Sequence, residues 1–154
     1  MTYTDYIITP IGVIEIQASL HGITHVTFPT PASNRVNPSE LTQRCQQQLN
    51  EYFAGQRRVF DLPLEPQGTP FQRSIWVCLL RIPFGQTASY RAIAEMANNR
   101  QAVRAVGAAN GKNPIGIIVP CHRVIGSDGT LTGYAGGLER KAWLLEHEGV
   151  SVEK

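Results

Sequence analysis

Apolar and polar positions follow two different periods along the chain. From Val13 to Ser19 they alternate, with Ile14, Ile16 and Ala18 on one side and Val13, Glu15 and Gln17 on the other, which predicts a half-buried strand. Leu20-His21-Gly22 supplies a turn, and Ile23 to Phe28 returns as a second strand, so the pair reads as a hairpin. A polar connection with Pro29, Pro31, Ser33 and Asn34 leads to Asn37-Pro38-Ser39-Glu40. That tetrapeptide places a cap at Asn37, a proline at the first helical position and a glutamate three beyond the cap. The helix it starts is predicted to run to about Gly55, with Leu41, Cys45, Leu49 and Tyr52 on one buried stripe.

The segment Arg57 to Gly68 has no helical period and contains two prolines, which marks a domain boundary there. Residues 1–66 are expected to form a small α/β supporting domain, and residues 67–154 a second domain. In the second, Thr69-Pro70-Phe71-Gln72 repeats the helix-start pattern, and Ile75, Cys78, Leu79 and Ile82 make an apolar stripe before Pro83. A short helix capped by Ser89 buries Tyr90, Ile93, Ala94 and Ala97; Asn98-Asn99 turns the chain; another helix is expected from Arg100 to Asn110. Its buried stripe is Val103, Val106, Gly107 and Asn110, which leaves Arg100 and Arg104 beside the small Ala108 and Gly111. The two helices fit a helix-turn-helix, and equally a helical hairpin closely packed through Ala and Gly. A last helix, Leu138 to about Glu148, buries Leu138, Ala142 and Leu145 and stops at Gly149. The fold class expected is α+β: a short antiparallel sheet with a helix, then a mainly helical, winged-helix-like domain.

Charge separates the halves more than the net value of +2 suggests. Residues 1–71 carry four Lys/Arg against six Asp/Glu, whereas residues 72–154 carry ten against six, a modest signal for a polyanionic partner of the second half. The three cysteines, Cys45, Cys78 and Cys121, lie far apart without a C-x-x-C pair, which argues against a disulfide framework or a structural zinc site. With no signal-peptide pattern at the start and no long apolar run, a cytoplasmic protein with reduced thiols and no membrane partner is expected.

Cys45 and Cys78 fall on helical core stripes, but Cys121 does not. It follows the aliphatic run Ile115 to Val119, read here as a buried extended segment, and Pro120. His122 and Arg123 come next, and an imidazole or a positive charge is the usual means of making a thiolate near neutral pH. In an extended segment His122 would point away from the sulfur, so the pair needs a turn or a bridging water. Glu146 and Glu148 both lie where a carboxylate could orient that histidine, and spacing does not choose between them. Ser127-Asp128-Gly129 and Gly133 to Gly137 frame a loop between the cysteine and the last helix.

Pro120-Cys121-His122-Arg123-Val124, Asn113-Pro114 before it and Gly133-Tyr134-Ala135-Gly136-Gly137-Leu138 after it together resemble the O6-alkylguanine-DNA alkyltransferase family. The resemblance spans about Gly68 to Gly149; the first domain is similar only in layout. It implies irreversible transfer of an alkyl group from the 6-oxygen of guanine in double-stranded DNA to Cys121, once per molecule and with no organic cofactor; the cysteine and histidine set that binds zinc in some relatives is not found in this sequence. His122 would be a base acting through water, Glu148 its orienting carboxylate, and Asn113 the brace of the cysteine turn. Tyr90 would crowd the phosphate or donate to the guanine ring, and Arg104 would fill the stack after the base flips out. Ser89, Arg100, Ala105, Gly107, Ala108 and Arg123 complete the expected DNA contacts, made in the minor groove by a monomer. Tyr134, Ala135, Val124 and Gly136 would line the guanine pocket, with Ala135 standing where some relatives have serine. Two rivals are a non-catalytic sensor of alkylated DNA and a Cys-His hydrolase or thiol-redox enzyme. The first normally lacks the acceptor cysteine, and no further His/Asn set or C-x-x-C motif supports the second.

Overall fold

The computed structural model describes residues 1–29 and 35–152, so most of the proline-bearing connection expected between hairpin and helix lies outside the described residues. The chain divides into two compact units, Met1–Gln67 and Gly68–Lys154.

The first unit is a three-stranded antiparallel sheet with one helix. Strands β1 (Tyr3–Thr9), β2 (Gly12–Ala18) and β3 (Ile23–Thr27) follow in order, with Ile7 opposite Ile14 and Ile16 opposite Val26. Ile14, Ile16 and Ala18 are fully buried, as the alternation requires, and helix α1 (Glu40–Phe53) packs across all three strands with Cys45, Leu49 and Tyr52 inward. β1 escaped the sequence reading because Asp5 occupies an inward position, which breaks the apolar alternation. α1 also starts two residues later than expected. Asn37 is spent on β1, where it exchanges backbone hydrogen bonds with Thr4, and Ser39 caps the helix in a reciprocal pair with Thr42.

The second unit contains α2 (Pro70–Leu79), the two-residue strand β4 (Ala88–Ser89), α3 (Tyr90–Met96), α4 (Val103–Gly111), a 3-10 turn (Cys121–Arg123), β5 (Val124–Ile125) and α5 (Leu138–His147). Thr69 caps α2 and Ser89 caps α3, both as expected. α2 packs on α3 and α4, and Trp76 donates its indole N–H to the Ala109 carbonyl at 2.9 Å, so the helix pair has a fixed platform. β4 and β5 pair in parallel, Ala88 with Val124 and Ser89 with Ile125, which ties the start of α3 to the residues after Cys121.

Three expectations change here. α4 begins at Val103, so Arg100 lies in the connecting turn; Asn98 makes that turn with φ +56°, a conformation asparagine tolerates well. Ile115 and Ile117 to Val119 are buried, but the run is not extended: Ile118 N–H bonds the Gly116 carbonyl, Val119 N–H bonds the Ile115 carbonyl, and Ile117 sits at φ +69°. Leu138 is 48% exposed, and the inward residues of α5 are Lys141, Ala142, Leu144 and Leu145. Among the described residues, no helix is long and apolar enough to cross a membrane.

Candidate functional site

Cys121 opens a one-turn 3-10 helix beneath the compact turn of residues 115–119. Asn113 organises that turn: its side-chain N–H groups reach the carbonyls of Val119 at 2.8 Å and Ile115 at 3.2 Å, and its oxygen accepts from Ile115 N–H at 3.0 Å. The left-handed backbone of the β-branched Ile117 costs on the order of 1–3 kcal/mol, and those bonds together with the buried flanks of Ile115, Ile118 and Val119 hold it in place. The strain sits where the chain must reverse sharply to present the cysteine.

Turning at Cys121 also resolves how His122 reaches its partners. His122 is fully buried, with Nε2 at 2.7 Å from Glu148 Oε2. Arg123 donates to the same carboxylate, Nε to Oε1 at 2.7 Å and Nη2 to Oε2 at 3.1 Å, and sends Nη1 to the Ile82 carbonyl at 2.6 Å. Gly85 N–H approaches Glu148 Oε1 at 3.4 Å from a loop where its own φ is +81°. Burial alone would raise the Glu148 pKa, but the hydrogen bonds and charges of His122 and Arg123 outweigh it and bring the carboxylate to about 2.

An ionised carboxylate only accepts, so the His122 proton resides on Nε2 and Nδ1 carries a lone pair. Burial lowers the His122 pKa; Glu148 opposes the shift, and the positive charges of Arg123 and Lys141 reinforce it. Nδ1 is buried with no hydrogen-bond partner among the described residues. The arrangement is therefore a neutral imidazole, oriented from behind, with its basic nitrogen free to take a proton. Burial raises the pKa of the Cys121 thiol, opposed by a hydrogen bond from Asn113 and by the charge of Lys141. Such a thiol rests protonated and needs a base.

The expected pocket residues lie around this centre in different ways. Val124 is buried, Tyr134 and Gly136 are half-buried, and Ala135 is exposed in the loop leading to α5. Burial pushes the Tyr134 hydroxyl pKa up, with the Cys121 charge adding to the effect. Tyr90, at the start of α3, shares a short hydrogen bond with the Thr132 hydroxyl. A Cβ at Gly107 would lie 3.8 Å from the Tyr90 ring, so α4 passes close to that ring. On α4 the outward residues are Arg104, Ala105, Ala108 and Gly111, while Gly107 is half-buried; Arg100 is exposed in the preceding turn, and Ser89 is occupied as the α3 cap.

Arg123 requires a correction. The resemblance places it among residues meeting DNA, but it is 6% exposed and its guanidinium is committed to Glu148 and Ile82, so it supports the carboxylate instead. Sequence reasoning missed two further residues. Asn110 donates towards the Cys121 carbonyl at 3.4 Å from the inward face of α4. Lys141 is fully buried, and it stands beside Ala142 and four residues before Leu145, on the inward stripe itself. A lysine at such a position was the available signal. Among the described residues, no group of three or more His, Cys, Asp or Glu side chains is placed to hold a metal ion.

Comparison with known proteins points in one direction. A family model described as the ribonuclease-like domain of 6-O-methylguanine DNA methyltransferase matches residues 2–66, and one described as its DNA binding domain matches residues 70–150. A methylated-DNA–protein-cysteine methyltransferase of Methanosarcina barkeri is 45% identical over 153 residues, covering 95% of this chain and 96% of the relative. The crystal structure of Mycobacterium tuberculosis O6-methylguanine methyltransferase aligns with a TM-score of 0.86 and 43% identity, over 96% of this chain and 93% of that one. A structure of Mycobacterium tuberculosis OGT in complex with DNA aligns with a TM-score of 0.83 and 45% identity, over 93% and 90% of the two chains.

Proposed function

This chain belongs to the 6-O-methylguanine DNA methyltransferase family, and from that premise we propose how its own residues carry out the reaction. It is a DNA repair protein that moves an alkyl group from the 6-oxygen of guanine to one of its cysteines. The observation that carries the assignment of residues is the buried series Cys121, His122 and Glu148, in which Glu148 fixes Nε2 and leaves Nδ1 basic.

The thiol proton of Cys121 passes through a bridging water to His122 Nδ1. The thiolate then attacks the alkyl carbon, so that the S–C bond forms as the C–O6 bond breaks and guanine departs as an anion. The Tyr90 hydroxyl donates to a ring nitrogen of that anion, and the Ala135 N–H meets the 6-oxygen; both interactions strengthen as charge develops. Backbone groups of Cys121 and Val124 read the guanine edge, and Tyr134 and Gly136 close the pocket. A thioether is not hydrolysed under these conditions, so each molecule acts once.

Inside a duplex the alkyl group cannot reach a buried sulfur, so the nucleotide must be extruded at a cost of about a few kcal/mol. α4 suits this task. Its outward Ala105 and Ala108, with Gly107 nearby, permit close approach to the minor groove, and Arg104 fills the vacated stack. Ser89 and Arg100 meet the phosphates. The second unit is thus the DNA-binding and alkyl-transfer domain, the first supports it, and the protein works in the cytoplasm as a monomer.

The test compares wild type with Cys121→Ala on a duplex containing one O6-methylguanine, following both binding and loss of the methyl group. Wild type is expected to bind and demethylate, and the variant to bind without demethylating. Demethylation by Cys121→Ala would refute the assignment, and binding without repair by wild type would favour the sensor.

A further inference from the structure

The reaction just described makes no use of Lys141, although this lysine is fully buried in the second unit. Its ammonium donates to the carbonyl of Val124 at 2.6 Å and to that of Thr132 at 3.1 Å. Val124 follows the cysteine turn, and Thr132 belongs to the loop before Tyr134 and carries the hydroxyl that meets Tyr90. A single side chain on α5 therefore joins both walls of the pocket.

Two neutral carbonyls are a poor substitute for water around an ammonium, and burial draws Lys141 down to about 8. Among the described residues no carboxylate pairs with it. The negative charge of Glu148 is already matched by Arg123, while His122 and the Cys121 thiol are neutral at rest. Lys141 thus carries the uncompensated charge of the buried cluster. Loss of the thiol proton supplies the missing negative charge: the ammonium favours the Cys121 thiolate and the thiolate favours the ammonium. The same ammonium disfavours a proton on His122, which keeps the base ready. The other titratable groups around the centre are Tyr134 in the loop, Arg140 beside it on α5, and Glu148 with Arg123 behind His122.

We propose that Lys141 is a positioning residue for alkyl transfer: its ammonium balances the charge of the Cys121 thiolate while its two carbonyl bonds hold the Thr132 loop against the Val124 segment. The proposal rests on Cys121 being the nucleophile. A purely structural tie would make the loop bonds matter and the charge irrelevant.

The pH dependence of two single-turnover reactions separates these roles: transfer from free O6-benzylguanine, and modification of Cys121 by iodoacetamide read by peptide mapping, which needs no guanine. Both rates in wild type are expected to rise as the thiolate forms and to level off below about pH 10, because the ammonium favours the thiolate. Lys141→Met should lose about tenfold or more at neutral pH, corresponding to a displacement of one pH unit in thiolate formation. Its profile should level off about one pH unit higher, so that the loss narrows as pH rises, and Lys141→Arg should keep the wild-type profile. A wild-type rate that climbs steadily to pH 10 while the protein stays folded would overturn the proposal, even if neither variant folds. So would a Lys141→Met loss that is equal at every pH. The expected iodoacetamide profile in a protein that takes no methyl group from alkylated DNA would leave the Lys141 inference standing and remove the functional reading.

Discussion

Glu148→Gln is the substitution whose consequences the geometry specifies most fully. The carboxylate is buried and accepts charge-assisted hydrogen bonds from His122 at 2.7 Å and from Arg123 at 2.7 and 3.1 Å. An amide of the same shape offers one accepting oxygen and turns an NH2 group towards donors, so a buried donor loses its partner and the guanidinium loses its counter-charge. Removing one member of a buried ion pair costs about 3–5 kcal/mol. The displacement of the Glu148 pKa from 4.5 to about 2 corresponds independently to about 3 kcal/mol. Each kcal/mol moves the melting temperature of a domain this size by about 4–8 °C, so a fall on the order of 15 °C is expected. Circular dichroism melts of Glu148→Gln, Arg123→Met and the double variant give the assay. The double variant should be more stable than the sum of the single losses predicts, by about 1–3 kcal/mol, because it no longer buries an unpaired cation. A Glu148→Gln melt within about 3 °C of wild type, or strictly additive losses in the double variant, would refute the view that this pair organises the site.

Other consequences are open to equally direct measurement. Arg104→Ala should slow repair in duplex DNA at least tenfold more than transfer from free O6-benzylguanine, since only the duplex requires extrusion; equal losses in single-turnover assays would remove Arg104 from that role. Gly85→Ala should cost about 1–2 kcal/mol in denaturant unfolding, because the residue has φ +81° and its Cβ would meet the Glu148 carbonyl oxygen at 3.1 Å; an unchanged midpoint would contradict this. Stability should also fall with pH in two windows. His122 has a lowered pKa in the folded protein, so the unfolded chain gains a proton first and stability declines as pH drops through 6.5. Glu148 contributes stability that is fully present above 4.5 and is lost as pH falls towards 2. Urea unfolding across this range should show both declines, and a His122→Gln variant should lack the first.

What the sequence disclosed followed from local physics. Alternation placed Ile14, Ile16 and Ala18 inward, Thr69 and Ser89 declared helix starts, and the position of Arg104 two residues before Val106 put it on the exposed face of α4. The failures came where tertiary contacts override local preference. Asp5 hid a strand, and Asn37 gave up its cap role to pair with Thr4 across the sheet. The aliphatic run before Cys121 reads as an extended segment because apolarity reports burial and not direction. The bonds of Asn113 and the left-handed Ile117 show it to be a turn. Arg123 is misplaced by sequence reasoning, and Lys141 escapes it. A basic residue next to a DNA-facing motif suggests phosphate contact, yet Arg123 is buried against the Glu148 carboxylate, and Lys141 is buried on two backbone carbonyls. Spacing could not choose between Glu146 and Glu148, whereas the distance of Glu148 from His122 does so at once.

The central claim is that Cys121 itself accepts the alkyl group, activated by His122 from behind which Glu148 holds the ring. The most direct measurement is to titrate the protein with a duplex carrying one O6-methylguanine and to locate the transferred methyl group by peptide mass spectrometry. The account predicts that repair ends at one methyl group per chain, carried wholly by Cys121 and absent from the buried Cys45 and Cys78. Continued turnover beyond that point, or a methyl group on any other residue, would contradict it.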